Sequence, residues 1–508
     1  MAESTRAPTG PDFSAGIAKD EIAEGSTIAG HVGGEPVLLS RLGGTFHAIG
    51  GTCTHYGGPL GDGLARGSVV RCPWHHACFD LRTGAALHAP AFAAVDRWRV
   101  DEAGDRLFVR EKLEAAPAPR PAIAADVRSV VIGGGGAAGF ACAHELRALG
   151  YDGAITMLSA DADPPCDRPN LSKDYLAGTA LEEWIPLRED NYYREQEIDL
   201  RLGTEVSAID VAGRAAIAGG ARFAFDRLLI ATGAEPVRLP VPGFDADNVH
   251  LLRTLADARA LVRRLKPGAR AAVIGSSFIG LEAAAALRKR GLEVDVVADN
   301  AVPFARVFGR EVGLFLQQLH EANGVRFHLG CTAADFDGGT LTLSDGSRIE
   351  ADFVLAGVGV RPRTGLAPRG VAVADGIVVD RFLATPVPGI YAAGDVAASP
   401  DPVDGRPLRI EHWVVAERQG QVAARNMLGV ETPYRAVPFF WTEQYGVSLR
   451  YVGHVRYWDE ISIEGDLAAR DFIARFRRAG RMRASLACGR DRESLADELE
   501  LERQAEAG

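Results

Sequence analysis

The chain has 508 residues, a formal net charge of −11 and 24% charged residues, a globular composition too long for one hydrophobic core, so three or four domains are expected. The acidic balance argues against a nucleic-acid or anionic-membrane surface, and no window holds the roughly 18 uninterrupted apolar residues of a spanning helix. Seven cysteines are no disulfide framework at this length and fit a reducing compartment; with no apolar signal region at the start, cytoplasm is the expectation.

Residues 27–49 alternate apolar with small or polar residues and break at Gly33-Gly34 and Gly43-Gly44, which predicts short antiparallel strands. Two loops follow, Cys53-Thr-His55 and Cys72-Pro-Trp-His75, a C-x-H and a C-x-x-H separated by sixteen residues. Two thiolates and two imidazoles suit zinc or iron–sulfur chemistry. C-x-H is tight for one tetrahedral ion and fits two irons better, with Cys53 and Cys72 on one and His55 and His75 on the other. This stretch resembles a Rieske [2Fe–2S] domain over residues 12–110, and the first domain is set at 1–110. The respiratory members carry a disulfide and a serine where this chain has Gly58, Trp74 and Ala77. Fewer hydrogen bonds to sulfur then imply a potential toward the low end of the Rieske span of about −150 to +300 mV. His76 is expected as a loop-surface histidine, Cys78 as a small buried thiol, and Trp74 as a shield for the loop. Residues 111–126, rich in Ala and Pro, are expected to be a linker reaching roughly 22 Å as coil or about 50 Å extended, either free or wrapped along the next domain.

From residue 130 a buried strand, a glycine turn, a helix and a second strand succeed one another. Gly134, Gly136 and Gly139 fit G-x-G-x-x-G, with Ala137 at the head of the helix whose free N–H groups would face a pyrophosphate. Asp161, 22 residues beyond Gly139, is placed to hold ribose hydroxyls. Arg168 and Lys173 could supply the positive charge that a hydride-accepting flavin needs near N1 and N5. The strand ending Ala231-Thr232-Gly233 can lie against a cofactor, and Asp395 sits in a second strand-to-helix turn. Between them a repeat of the first unit carries Gly275, Ser277 and Gly280, with Glu282 on its helix, Asp299 after its second strand, and Gly359 in a return loop.

These blocks resemble the ferredoxin-reductase-type flavoproteins of the pyridine nucleotide-disulfide oxidoreductase superfamily. The resemblance implies FAD-binding parts at 127–250 and 377–430, an NAD-binding domain at 251–376 and a C-terminal domain at 431–508. It implies Asp395 as the ribityl or pyrophosphate contact, Glu282 near the nicotinamide amide, and Trp441 beside the flavin ring. Members using NAD usually have an acid where Ala298 falls, so Asp299 is one place late. No Arg or Lys follows before Arg306, and NADH is expected over NADPH. Residues 408–430 read as a helix and the end of the chain as an acidic helical tail. There is no C-x4-C dithiol after the first glycine motif; Cys166 stands alone.

The expected fold class is therefore multidomain: an all-β Rieske domain, then a two-dinucleotide-binding α/β flavoprotein with an α+β C-terminal domain. The whole resembles apoptosis-inducing-factor-like proteins and the reductases of Rieske oxygenase systems. The expected cofactors are FAD, a [2Fe–2S] cluster and NADH, and the expected function is electron transfer from NADH through FAD and the cluster to an external acceptor such as an oxygenase component. Exposed imidazole edges at the loop tips are expected as the exit. A self-contained NADH oxidase, or a redox-sensing interaction protein that forms a homodimer, are the alternatives.

Overall fold

The glycine-punctuated alternation in residues 27–49 becomes three antiparallel strands, Thr27–Val32, Glu35–Leu42 and Thr45–Gly50. In the computed structural model, which describes residues 10–114, 121–124, 126–401 and 405–507, they join Arg97–Ala103, Arg106–Leu113 and Ile17–Ala18 in a six-stranded sheet. A smaller four-stranded sheet faces them, built from Leu64–Arg66, Val69–Arg71, Cys78–Asp80 and Ala86–His88. The two cysteine loops are built alike. Cys53 N–H donates to Gly58 O and Cys72 N–H to Ala77 O, both at 2.8 Å, so each loop closes on itself beside its thiol.

The strand Arg106–Leu113 runs three residues into the segment expected to be a linker from 111. Residues 115–120 and 125 of that segment lie outside the described residues. At its far end Ile123 and Ala124 pack on the flavin-side core and Ala124 N–H donates to Leu428 O at 2.8 Å. The described end of the segment is thus laid along the second body.

That body contains the repeat seen in the sequence. One parallel sheet orders Ile198–Arg201, Ala154–Leu158, Ser129–Gly133, Arg227–Ile230 and Ile390–Ala392. The other orders Val325–Leu329, Glu293–Ala298, Arg270–Ile274, Phe353–Ala356 and Val249–His250, also parallel. Their central strands, Ser129–Gly133 and Arg270–Ile274, are apolar beyond the first residue because both faces are covered, by helices on one side and by a small antiparallel sheet on the other (Val206–Asp210, Ala215–Ala218 and Ala221–Ala224 in the first unit; Ala333–Phe336, Thr340–Leu343 and Arg348–Glu350 in the second). Val360–Pro362 then pairs with Ala234–Pro236 and ties the second sheet's loop back to the first.

The helix expected over 408–430 is shorter, Trp413–Met427, because Pro407–Leu408 is drawn into a strand pair with Ser399 and Pro400. It packs on Ala137–Ala148 so closely that a Cβ at Gly420 would collide with Ala138 O. The last domain is a five-stranded antiparallel sheet, Phe439–Gln444 through Arg481–Cys488, covered by the helix Asp491–Ala507. The same helix also touches Leu64–Arg66 of the first domain. No described helix is long and apolar enough to cross a membrane.

Candidate functional site

Each glycine unit is shaped by two positions. Gly134 and Gly275 adopt φ of +129° and +110°, open to glycine and costly for other residues. A Cβ at Gly139 would collide with Gly134 O, and one at Gly280 with Gly275 O, so helix and strand meet by the same close approach in both copies. Gly136 caps Ala137–Ala148 and Ser277 caps Phe278–Lys289. The serine therefore occupies the same place in the second copy.

One cavity of about 980 Å³ gathers most of the predicted residues, a size suited to a bound cofactor. Gly134, Gly136, Ala137, Asp161, Arg168 and Lys173 line it from the first unit. Ala231, Thr232, Gly233, Gly359 and Asp395 line it from the returning loops, and Ser277, Glu282 and Trp441 close its far end. Gly139, Gly275 and Gly280 lie outside the lining and act through the backbone. Asp299 is exposed just past the end of Glu293–Ala298 and does not reach this cavity.

The two cations expected together at a flavin ring both line the cavity and pair with different carboxylates. Arg168 lies beside Gly136 and pairs with Asp161 at 2.8 Å, so its charge is spent at the glycine turn. Lys173 instead pairs with Glu282 at 2.9 Å. Glu282 is 4% exposed and also accepts from Ser172 Oγ at 2.5 Å and Thr442 Oγ1 at 2.7 Å. Three segments distant in sequence thus meet on one carboxylate. Asp395 is held by Arg253 at 2.6 Å, a partner that no motif announced.

Opposite this cavity stand the cluster loops. The His75 ring lies 4.2 Å from Trp441, centre to centre, and His55 lies 6.2 Å from it. The two imidazoles are 5.0 Å apart, and Tyr56 stacks on His55 at 4.1 Å. His75 is 9% exposed. The His75 edge is therefore not at an exposed loop tip: it faces inward against Trp441, while His55 is half-buried beneath Tyr56. Trp74 is the loop's exposed aromatic, packed beside Gly58 and Cys72.

His76 is a second correction. It is fully buried, stacked on Phe439 at 4.1 Å, with Nδ1 2.8 Å from Glu498. Glu498 also pairs with Arg71 at 2.9 Å and Arg418 at 3.3 Å. Burial works against the Glu498 charge, but His76, Arg418 and Arg71 outweigh it and hold the carboxyl well below its usual range. Arg418 further donates to Ala89 O and His76 O, and Arg450 to Trp74 O at 3.0 Å. Cys78 is a buried thiol as expected, raised to about 11 by burial.

Three comparisons with known proteins bear on this arrangement. The family model described as Pyridine nucleotide-disulphide oxidoreductase matches residues 128–420, more than half of the chain. The chain belongs to that family. A Rieske [2Fe-2S] domain matches residues 15–99, and a Reductase C-terminal domain matches 439–507. Apoptosis-inducing factor 3 of Homo sapiens is 34% identical over 459 residues, covering 86% of this chain and 75% of that protein. The ferredoxin–NAD(+) reductase component of the anthranilate 1,2-dioxygenase system of Burkholderia cepacia is 39% identical over 349 residues, covering 67% and 86%. The crystal structure of the covalent putidaredoxin reductase–putidaredoxin complex matches with a TM-score of 0.72 and 34% identity, covering 74% and 93%. This oxidoreductase is accordingly an FAD-dependent, ferredoxin-reductase-type enzyme using NAD(P)H, with a Rieske [2Fe–2S] domain.

The cluster loops of this oxidoreductase fit that group. A two-iron cluster asks for only two protein ligands on each iron. The thiols of Cys53 and Cys72 share a hydrogen bond, which lowers the first and raises the second. Burial pushes His55 down to about 3 and His75 well below its ordinary value. Both rings are thus neutral, the form that ligates metal. His55 Nδ1 is buried with no partner, an orphan that a metal would satisfy.

Proposed function

We propose that this chain draws electrons from NADH and delivers them through its own Rieske loops to an external one-electron acceptor, such as an oxygenase component. One observation carries the reading: Trp441 lines the cofactor cavity and at the same time touches the ring of His75 at 4.2 Å. When bound, the flavin supplies the change from paired to single electrons and the cluster held by Cys53, His55, Cys72 and His75 supplies a one-electron store.

The residues divide the remaining work. Gly134, Gly136 and Ala137 cradle the FAD pyrophosphate with the helix N-terminus, Asp161 takes ribose hydroxyls, and Asp395 takes the ribityl chain or pyrophosphate. Ala231, Thr232, Gly233 and Gly359 let backbone approach the cofactor. Gly275, Ser277 and Gly280 form the NADH turn, and an exposed acid at Asp299 with no Arg or Lys following it before Arg306 favours the unphosphorylated ribose. Lys173, steadied by Glu282, opposes negative charge gained at the ring. Seven cysteines over this length suit a reducing compartment, and cytoplasm is the reading that agrees with them.

Anaerobic titration with NADH, following flavin and cluster absorbance separately, tests the order. Cys53→Ser should leave flavin bleaching intact and abolish transfer to a protein acceptor. Undiminished transfer in that variant refutes the wiring.

A further inference from the structure

Tyr56 links the first cluster loop to the flavin-side loop through one side chain. Its ring lies face to face with His55, 9° from parallel at 4.1 Å, and meets the His75 ring edge-on at 5.3 Å. Its hydroxyl donates to Oδ2 of Asp167, 111 residues away. Asp167 is buried, and its own backbone N–H is fixed to Ile185 O at 2.8 Å. The next residue, Arg168, lines the cofactor cavity, and Lys173 follows in the same segment. The acceptor of the tyrosine bond is therefore rigidly joined to the cavity wall, while its donor is stacked on an imidazole of the cluster site.

We propose that Tyr56 is a positioning residue for internal electron transfer: its ring fixes the plane of His55, and its hydroxyl fixes the first cluster loop against the flavin-side segment at Asp167. The proposal rests on the electron route proposed above. A docked domain needs more than a favourable average position. The rings of His55 and His75 must stay in one orientation toward Trp441, and small displacements at a reacting junction are costly in rate. Gly57 follows Tyr56 directly, at φ +78° and exposed. The loop beyond Tyr56 is tied back to Cys53 by Gly57 N–H to Cys53 O at 3.0 Å and Cys53 N–H to Gly58 O at 2.8 Å, and Thr54 Oγ1 to Ala93 O at 2.6 Å also stays within the first domain, so Tyr56 is the member of this loop that reaches the flavin-side segment. Phenylalanine at 56 would keep the stack and leave Asp167 buried without that donor.

The test uses the full-length protein with both cofactors, mixed anaerobically with NADH in a stopped-flow instrument. In Tyr56→Phe the ratio of cluster-reduction rate to flavin-bleaching rate should fall about tenfold, the factor a hydrogen bond to a buried carboxyl is worth. Asp167→Asn keeps an oxygen acceptor and should lose no more than about threefold, with the double variant no worse than Tyr56→Phe alone. Apart from turnover, the cluster's electron paramagnetic resonance spectrum should match the parent in Tyr56→Phe, and the unfolding constants of the two single and the double variant should depart from additivity. An unchanged ratio in Tyr56→Phe, an equal fall in both rates, or strict additivity overturns the proposal. If NADH fails to reduce the cluster in the parent, the electron route falls and the proposal with it. Normal reduction in the parent with an unchanged ratio in the variant removes the role of Tyr56 alone.

Discussion

Removing the carboxylate of Glu282 should damage both stability and the NADH-dependent step, and the structure sets the scale. The group accepts from Ser172 Oγ, Lys173 Nζ and Thr442 Oγ1 at 2.5, 2.9 and 2.7 Å while only 4% exposed. Glu282→Ala strands a largely buried ammonium and two hydroxyls. Breaking such a buried pair costs about 3–5 kcal/mol, more than a cavity of this size alone would. Glu282→Gln keeps the shape and an acceptor oxygen and loses the charge, a cost of about 1–2 kcal/mol. Lys173 then keeps its bond to Pro169 O at 3.1 Å but loses its ion pair, and each 1.4 kcal/mol lost at the charged junction slows the step roughly tenfold. Urea unfolding gives the first quantity and anaerobic flavin bleaching by NADH the second, and both should rank parent, Gln, Ala. A Glu282→Ala protein with the parent's unfolding midpoint and bleaching rate would refute the account.

A Cβ at Gly58 would stand 2.7 Å from Cys72 Sγ and 3.2 Å from the Trp74 ring. Gly58→Ala should therefore yield protein with full flavin content and at most a fraction of the parent's iron and acid-labile sulfide, measured on the same sample. Burial raises the Asp167 carboxyl to about 7 against the pull of Lys173. The folded state then holds a proton that the unfolded chain releases near 3.8. Stability should fall as pH rises across that window, by up to about 1.4 kcal/mol per pH unit, and level off above it; Asp167→Asn should lose this slope in urea titrations at several pH values. Glu498 has the opposite sign: its carboxyl is held low, so its contribution is lost as pH falls through and below the ordinary range near 4.5. Glu498→Ala should cost about 3–5 kcal/mol, and a variant as stable as the parent would show that the Arg71, His76 and Arg418 cluster is not a clamp. Steady-state turnover with a one-electron dye should exceed turnover with oxygen alone; the reverse would favour an oxidase.

What the linear chain revealed was whatever depends on short spacing. The glycine turns and the C-x-H and C-x-x-H loops are local patterns, and strand, turn and helix follow directly from the first; the helix expected after Asp395 is instead the strand Ala397–Pro400, drawn between Gly376–Val378 and Pro407–Leu408. Contacts made by folding were not legible. Thr442 reaches Glu282 across 160 residues and Glu498 reaches His76 across 422. His76 was misread for that reason: a histidine in a loop is a surface residue until a distant carboxylate and two arginines neutralise its burial. The His75 edge was misread likewise, since exposure of a loop tip is decided by what the next domain does. Arg168 was grouped with Lys173 because five positions look close, yet Asp161 captures one and Glu282 the other. Tyr56 could have been noticed as an aromatic directly after a ligand, although nothing in its spacing names Asp167.

The pairing of Arg71 with Glu502 spans 431 positions. A ribosome adding roughly 5–20 residues per second needs on the order of 20–90 s to travel that distance. Throughout this interval the nascent N-terminal module lacks the helix that will seal one of its flanks. The seal between the first domain and this helix is therefore among the last contacts the chain can form.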